Sequence, residues 1–514
     1  MKLMNLIESL EDPKTYGLLD AEIKRITVDS RCVKQGDMFV AIRGTTADGH
    51  EFVKQAIARG ATAVVTDTPI ADAGKTGEAG VSNVIVDDTS KTLAKLASRF
   101  FGDPADRLYL CGITGTNGKT STAHMYRSIV EASGWGAVGI IGTLGHGVGG
   151  DLKKTLHTTP GPVELHGQLR KMVDSGCRGV VMEVSSHAVR QHRTWGLNFD
   201  VGILTNVTHD HLDFHKTIDD YRSAKREFCE SLVTADRRKP PGTLVYSGDD
   251  PVAREIGEDF GGNKTVVEVA DSDNQEVTAD SANRRVRARD VGITLDGTNF
   301  TLEFDDEDEA YSMDVSMKLL GSFCAVNAAL AAAGARATGV DVNSIKRGLE
   351  LLDRIPGRFE TIGGRGSPVI VLDYSHTPDS MEHVLRTCRE LNPNRLVTVF
   401  GCGGDRDRAK RPAMGRIAQE LSDFVYITTD NPRTEPIEKI VEEILAGMNK
   451  QLDNYCVDLD RSHAIHEAID GAGSDDVIAL LGKGAENYQI VGAERSPFSD
   501  RIEAGEALRG WTKG

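Results

Sequence analysis

The chain has 514 residues, a formal net charge of −17 and 39% hydrophobic residues. That length is too great for one core and points to about three domains, and the acidic balance excludes a general nucleic-acid binder, which needs basic surface against a polyanion. No apolar run approaches the roughly 18 to 20 residues of a membrane span, Glu8, Glu11 and Asp12 stand where a signal peptide would be apolar, and the eight scattered cysteines form no Cys-x-x-Cys pair, so a soluble globular protein of the reducing cytoplasm is expected.

Residues 1–105 read as a first α/β domain. Asp37 to Ile42, Ala63 to Asp67 and Val84 to Asp88 have the composition of short strands, and Phe52 to Arg59 and Lys91 to Phe101 that of amphipathic helices. Gly102-Asp103-Pro104 reads as a linker. Nothing in this stretch carries bond-making chemistry. Asp29-Ser30-Arg31 and Asp48-Gly49-His50 read as loops, and a binding role is the modest expectation.

Residues 106–350 form the expected central domain, organised around Gly115-Thr116-Asn117-Gly118-Lys119-Thr120-Ser121. An apolar strand, Leu108 to Ile113, precedes this turn and a helical stretch, Ser121 to Ala132, follows it. A loop in that position gathers backbone N–H groups that no helical carbonyl satisfies, and with the helix dipole they make an anion site. Lys119 can reach terminal phosphates and the Thr120 hydroxyl can bind Mg²⁺. The spacing departs from the usual phosphate loop, which has glycine at the position of Ile113, so a variant loop is expected.

Two further apolar strands, Gly179 to Val184 and Val201 to Leu204, end in polar clusters. Ligands of doubly wound sheets collect at the carboxyl ends of strands. Glu183 therefore reads as a carboxylate for Mg²⁺. In the run His209-Asp210-His211-Leu212-Asp213-Phe214-His215 a zinc site is the weaker reading, because a second strong ligand cluster is missing. His211 beside a Mg²⁺–phosphate site is the stronger one, with His209 and His215 shaping the loop. Tyr221 to Leu232 reads as a helix, and Lys225 within it as a solvated lysine. Arg285 to Val291 and Asn299 to Phe304 suggest peripheral strands, Asp305 to Glu309 a solvated acidic loop, and Leu319 to Thr338 a packed helix.

Residues 351–514 repeat the strand–helix alternation of a parallel sheet. Strands are expected at Val369 to Tyr374, Leu396 to Phe400, Phe424 to Thr428 and Val477 to Leu481, with helices at about 379–391, 412–421 and 436–450. Each strand ends in polar residues: Asp373 to His376, Gly401 to Arg408, Asp430-Asn431-Pro432-Arg433, and Gly482 to Glu486. Four such endings in one domain point to a second binding face.

These motifs together resemble the Mur ligases of peptidoglycan synthesis, the MurE type most of all, over nearly the whole chain. The resemblance rests on Gly115 to Thr120, Met182 to His187, Asp210 to Asp213, Gly357-Arg358-Phe359-Glu360 and Asp430 to Arg433. It implies an N-terminal domain for a UDP-muramoyl substrate, a central ATP-binding domain of P-loop ATPase-like parallel sheet, and a C-terminal, Rossmann-like domain for an amino acid. By the same resemblance Gly115 to Ser121, Asn327, Arg358 and Asp373 hold ATP. Thr120, Glu183 and His211 bind Mg²⁺, and Lys225 joins them as a CO₂-derived carbamate, which reverses the reading of it as a surface lysine. Ser30, Thr158, Thr159, Ser185, Gln191 and Arg193 match contacts to UDP-N-acetylmuramoyl-L-alanyl-D-glutamate. Arg406, Asp430, Asn431, Pro432, Arg433, Gly482 and Glu486 match contacts to the amino acid.

The implied reaction is ATP-driven amide formation by a cytoplasmic, monomeric enzyme. The substrate carboxylate takes the γ-phosphoryl group, and an amine displaces phosphate from the acyl phosphate, with Lys119, Glu183, His211 and Lys225 at the reacting centre. Arg433 points to meso-diaminopimelate, whose far end carries a carboxylate, and against L-lysine, whose ammonium it would repel. Three residues depart from the family pattern: Ala485 in place of histidine, and Cys324 and His157 in place of asparagine. A folylpolyglutamate-type ligase and an ATPase that makes no amide are the rival readings.

Overall fold

The computed structural model describes residues 1–44, 47–69, 80–150, 152–155, 157–208, 210–234, 239–269, 284–305 and 310–511, with the backbone alone at Leu212 and Asp213. The chain divides into two units. The first comprises Met1–Thr114, Trp135–Gly202 and Ala224–Thr243; the second comprises Gly115–Gly134, Ile203–Ser223 and Leu244–Gly514.

The first unit opens with a five-stranded sheet in the order Lys14–Tyr16, Ser82–Ile85, Ala63–Thr66, Asp37–Val40, Arg25–Thr27. Its first pair is antiparallel and the others are parallel. Asp37–Val40 and Ala63–Thr66 are buried throughout. Met38, Val40, Val65 and Val84 pack with Leu93 and Leu96 on one face, while Phe39 and Val64 pack with Val53 and Ala56 on the other. Burial on both faces is why these strands read as unbroken apolar runs. The strand expected to reach Asp88 stops at Ile85, because Asp88 caps the helix Thr89–Phe100 by accepting from the Ser90 and Lys91 N–H groups.

Also in this unit, Tyr109–Thr114 pairs in parallel with Gly179–Glu183, which pairs in parallel with Val138–Gly142. Gly145–Val148 closes that edge as an antiparallel hairpin partner. A Cβ at Gly112 would sit 2.7 Å from the Phe228 ring and 2.8 Å from that of Phe199, so the strand carries glycine where two aromatic rings press on it.

In the second unit the helix Lys119–Ala132 packs against Ser322–Ala337 and Val342–Leu351. Seven buried alanines in Ser322–Ala337 (Ala325, Ala328, Ala329, Ala331, Ala332, Ala333 and Ala335) allow close approach. The peripheral strands expected near Arg285 and Asn299 are Arg284–Thr294 and Gly297–Asp305, an antiparallel pair extended by Ala310–Met317. Most of the expected acidic loop, 306–309, lies outside the described residues.

The C-terminal sheet runs Glu360–Gly363, Val369–Asp373, Val477–Leu481, Leu396–Phe400, Phe424–Ile427, Tyr455–Val457. All its pairs are parallel except the first. Val371, Phe400 and Leu481 face one apolar layer with Met381 and Leu385, and Ile370, Val399 and Leu480 face the other with Ile465 and Ile469. The strand ends therefore emerge together from a rigid platform. The helix expected over 436–450 runs only Ile437–Leu445, and Gly447 just beyond it passes so close to the Pro412 carbonyl that no side chain fits there.

Candidate active site

The phosphate-loop sequence forms the turn expected of it, between a strand ending at Thr114 and a helix beginning at Lys119. Gly115 and Gly118 have φ of 146° and 85°, which glycine adopts without steric cost. Added Cβ atoms there would collide with Thr205 Oγ1 and Asn327 Oδ1. The loop is tied down on several sides. Thr116 N–H donates to the Asn206 carbonyl at 2.9 Å, and its hydroxyl lies 2.9 Å from the Tyr221 hydroxyl. Asn117 N–H donates to Asn206 Oδ1 at 2.9 Å, and the Thr205 hydroxyl donates to the Asn117 carbonyl at 2.6 Å. The Lys119 ammonium folds over the loop, donating to the Gly115 and Thr116 carbonyls at 2.8 and 2.7 Å. Ser121 is buried in the first turn of the helix.

Arg358 reaches this turn from the C-terminal part of the same unit. Its guanidinium donates to the Thr120 hydroxyl at 3.0 Å and lies 4.8 Å over the Tyr374 ring. Asp373 fixes the backbone beside it, accepting from the Phe359 and Ser375 N–H groups, each at 2.7 Å. Burial raises the Asp373 carboxyl above its ordinary range, against the pull of Arg358 and these bonds. Asn327 Oδ1 accepts from the Thr122 hydroxyl at 3.3 Å. Thr120, Asn327, Arg358 and Asp373 thus frame one helix N-terminus. Cys324, the departure in this region, donates to the Leu320 carbonyl and is buried.

A cavity of about 220 Å³ opens at the strand ends of the C-terminal sheet. Its walls bring together Arg406, Asp430, Asn431, Arg433, Gly482 and Glu486. They also carry His211, Asp210, Tyr374, His376 and Lys410. Pro432 is absent from the lining, although both its neighbours, Asn431 and Arg433, belong to it. Arg433 has φ of 53° and donates to the Gly404 carbonyl at 2.8 Å and to that of Asn431 at 3.3 Å. Asn431 Nδ2 donates to Glu486 Oε2 at 2.8 Å. A Cβ at Gly482 would lie 2.7 Å from Asp430 Oδ2, so that position needs glycine. Ala485, the departure next to Glu486, is exposed.

His211 has φ of 56°, a left-handed conformation unusual for histidine and the kind of strain found at functional sites. Asp210 holds it, accepting from its N–H at 2.9 Å and standing 3.3 Å from its Nε2. Burial raises the Asp210 carboxyl, but His211, His376 and Lys410 outweigh it and bring it down to about 2. His376 Nδ1 donates to the Tyr374 carbonyl at 2.9 Å, and burial pushes the ring down to about 4, so it is neutral. His215 is buried and bonded to Asp220 at 2.9 Å, in keeping with a loop-shaping role. His209 lies outside the described residues.

The remaining residues belong to the first unit. Glu183 is buried and accepts from the Thr143 N–H at 2.8 Å and the Thr143 hydroxyl at 3.1 Å. Thr158 meets the same Thr143 hydroxyl at 3.1 Å. Thr159 donates to the Glu183 carbonyl at 2.8 Å and accepts from the Ser185 N–H at 3.0 Å. Arg193 donates to the Thr159 carbonyl at 2.7 Å and grips Gln191 Oε1 with two nitrogens, at 2.9 and 2.6 Å. Five of the six residues matched to the UDP-substrate thus form one connected network around the end of a strand. Ser30 stands apart in the N-terminal sheet region, with its hydroxyl on Gln55 at 2.8 Å. Burial depresses the ring of His157, the departure next to Thr158. Lys225 is 1% exposed, which overturns the reading of it as a solvated lysine.

Sequence reasoning passed over Asp210, His376 and Lys410 as site residues. Their signal was available, since each follows or abuts a strand end already singled out.

Three family models match the chain: "Mur ligase family, catalytic domain" over residues 22–101, "Mur ligase middle domain" over 113–335, and "Mur ligase, glutamate ligase domain" over 357–484. The UDP-N-acetylmuramoyl-L-alanyl-D-glutamate–2,6-diaminopimelate ligase of Bacillus cereus is 38% identical over 510 residues, 99% of each chain. That of Syntrophomonas wolfei is 38% identical over 520 residues, all of both chains. A solved structure of a ligase of the same name aligns over 99% of each chain with a TM-score of 0.64 at 26% identity. The folylpolyglutamate synthase of Mycobacterium tuberculosis shares the fold, with a TM-score of 0.61 at 18% identity over 82% of this chain and 96% of that one.

Proposed function

Because the chain belongs to the Mur ligase family, we propose that it joins meso-diaminopimelate to UDP-N-acetylmuramoyl-L-alanyl-D-glutamate at the expense of ATP, in the cytoplasm. The observation that carries this reading is the cavity holding Arg406, Asn431, Arg433 and Glu486 within the unit that also holds the phosphate loop. Two guanidinium groups, a carboxamide and a carboxylate suit an amino-acid end bearing both a carboxylate and an ammonium.

Lys119 exchanges its two loop carbonyls for phosphate oxygens when ATP binds, and the loop N–H groups take the remaining charge. Arg358 and Asn327 position the nucleotide, with Asp373 fixing the backbone that carries Arg358. The substrate carboxylate attacks the γ-phosphorus, ADP leaves, and the acyl phosphate forms. The amine of the amino acid then attacks the acyl carbon and expels phosphate. Thr158, Thr159, Ser185, Gln191 and Arg193 hold the UDP-muramoyl peptide, and Ser30 its uridine end.

Thr120, Glu183 and His211 are the residues proposed to hold Mg²⁺, with Lys225 as a carbamate. The donor set fits: a carboxylate and a hydroxyl are the hard oxygen donors Mg²⁺ prefers, and Glu183 is already fixed by Thr143. A carbamate would replace the Lys225 cation by an anionic oxygen on a long arm. Bound Mg²⁺ supplies positive charge that offsets the phosphate oxygens.

The test is phosphate release by purified protein with Mg²⁺, ATP and UDP-N-acetylmuramoyl-L-alanyl-D-glutamate. Diaminopimelate, L-lysine and no amino acid are run in parallel. Diaminopimelate-dependent release with a product of the corresponding mass is expected. Lysine-dependent release would keep the ligase and discard the amino-acid assignment, and equal release in all three would leave an ATPase.

A further inference from the structure

Lys483 is fully buried, and its ammonium is paired with Glu486 and Asn431, two side chains of the amino-acid cavity's wall. It donates to Asn431 Oδ1 at 3.3 Å and to Glu486 Oε2 at 3.2 Å. The Ile490 N–H donates to the same Asn431 oxygen at 2.9 Å. Two donors on that oxygen decide which way the carboxamide points, since an amide flipped by half a turn would set its NH₂ against an ammonium and an N–H. The Asn431 NH₂ is thereby aimed at Glu486 Oε2, and its second hydrogen is left for the cavity. Tyr488 completes the frame by donating to Glu486 Oε1 at 3.2 Å, and its ring lies 5.7 Å from the Lys483 ammonium.

We propose that Lys483 is the positioning residue for amino-acid specificity: its buried charge locks Asn431 and Glu486 into the one arrangement that receives an amino acid whose far end carries both a carboxylate and an ammonium. This rests on the reading of the cavity as the amino-acid site. Lys483 does not line the cavity and touches no substrate. It acts through the two side chains that do. A buried ammonium costs a good deal of solvation free energy, and the two oxygens and the aromatic rings around it offset that cost. An apolar side chain of similar length would leave the orientation of the Asn431 amide to the Ile490 N–H and give Glu486 one donor fewer.

Steady-state kinetics of the full chain separates this role from a general structural one. In Lys483→Met the KM for diaminopimelate rises about tenfold or more, while the KM values for ATP and the UDP-muramoyl peptide stay within about twofold. Lys483→Arg, which keeps a cation able to reach both oxygens, recovers part of the affinity. Tyr488→Phe, which removes one hydroxyl and keeps the ring, raises the same KM by a few-fold and guards against a Lys483→Met chain that fails to fold. The diaminopimelate-to-lysine preference falls in Lys483→Met and in Tyr488→Phe. An unchanged KM for diaminopimelate in Lys483→Met and Tyr488→Phe, or a parallel rise in all three KM values with a fall in thermal midpoint, overturns the proposal. Wild-type protein that releases no phosphate in response to diaminopimelate removes the proposed reaction itself, and the specificity role with it. Wild-type turnover with a Lys483→Met chain of ordinary KM removes the Lys483 role alone.

Discussion

The Asn117 side chain donates to Asp379 at 2.7 Å, tying the phosphate loop to the first turn of a helix 262 residues further along the chain. The same carboxylate accepts from the Thr208 hydroxyl at 3.4 Å, and its other oxygen stands 3.4 Å from His383 Nε2. His383, Asn117 and Thr208 hold the Asp379 carboxyl below its ordinary range, against the opposing effect of burial. Asn117 is also held by both its backbone groups, so the loop is preorganised before any phosphate arrives.

Asp379→Ala releases the Asn117 side chain and removes one of those constraints. The KM for ATP is expected to rise about threefold to tenfold, the worth of one ordinary hydrogen bond, because the lost contact acts on the loop and not on the nucleotide. The KM for the UDP-muramoyl peptide is expected to stay where it was. Initial-rate measurements against each substrate check this, and a KM for ATP identical to wild type would show that the loop holds its shape without Asp379.

Gly118 tests the loop from inside. Its φ of 85° and the proximity of Asn327 Oδ1 both oppose a side chain. Gly118→Ala is expected to lose about 1–2 kcal/mol from the left-handed backbone alone, with a further loss from the collision and a marked weakening of nucleotide binding. Urea unfolding and ADP titration are the measurements. Adding Asn327→Ala to the same chain removes the collision, and recovery of part of the stability is expected. A double variant no more stable than Gly118→Ala would place the whole loss in the backbone.

The phosphate loop was legible because its chemistry is local: Gly115 to Ser121 carry strand, turn and helix start in one stretch. The C-terminal strand ends were legible for the same reason, since Asp430 to Arg433 and Gly482 to Glu486 each follow an apolar run. What joins them was not. Nothing near Asp379 in the sequence marks it as a partner of Asn117, and nothing near Arg358 marks Thr120 as the group it donates to. Lys225 failed in the other direction, because helical position alone makes a lysine look solvated and only packing makes it 1% exposed. Asp88 shows the local limit: the same residue type ends a strand or caps a helix, and the Ser90 and Lys91 N–H groups decide it.

Acid should loosen the loop that carries Arg406. Arg411 is fully buried and donates to both Glu435 oxygens at 2.8 Å and to the Gly403 carbonyl at 3.0 Å. Arg411 beside it, with the Asp405 N–H, brings the Glu435 carboxyl down to about 2 from its ordinary 4.5. A carboxyl depressed by folding contributes stability that is complete above its unfolded value and disappears as pH falls toward the folded one. The contribution is therefore expected to be full above about pH 4.5 and to vanish between there and about pH 2. Glu435→Gln lacks it at every pH. The urea midpoints of wild type and Glu435→Gln should converge as pH drops from 5 toward 3, and a constant gap would detach Glu435 from the acid sensitivity of the fold.

Arg433 is held in a way that leaves most of its guanidinium for a ligand. Its backbone is pinned by the Ile490 carbonyl at 3.1 Å and the Gly492 N–H at 2.6 Å, which impose the left-handed φ. One terminal nitrogen donates to the Gly404 and Asn431 carbonyls, and the Nε and the other terminal nitrogen, which donate to no group among the described residues, form a fork for a carboxylate. Arg433→Met removes that fork while keeping the stem, so the KM for diaminopimelate is expected to rise about tenfold to a hundredfold. Lysine should lose nothing, because its ammonium gains from the removal of a like charge, and the ratio of kcat/KM for the two amino acids should move toward lysine. Arg433→Lys keeps the charge but not the planar fork, and is expected to fall between the two for diaminopimelate while still repelling lysine. Phosphate-release kinetics with each amino acid against the three chains checks the order. A diaminopimelate-to-lysine ratio that stays fixed across all three would remove Arg433 from the choice of amino acid and leave that choice to Arg406, Asn431 and Glu486.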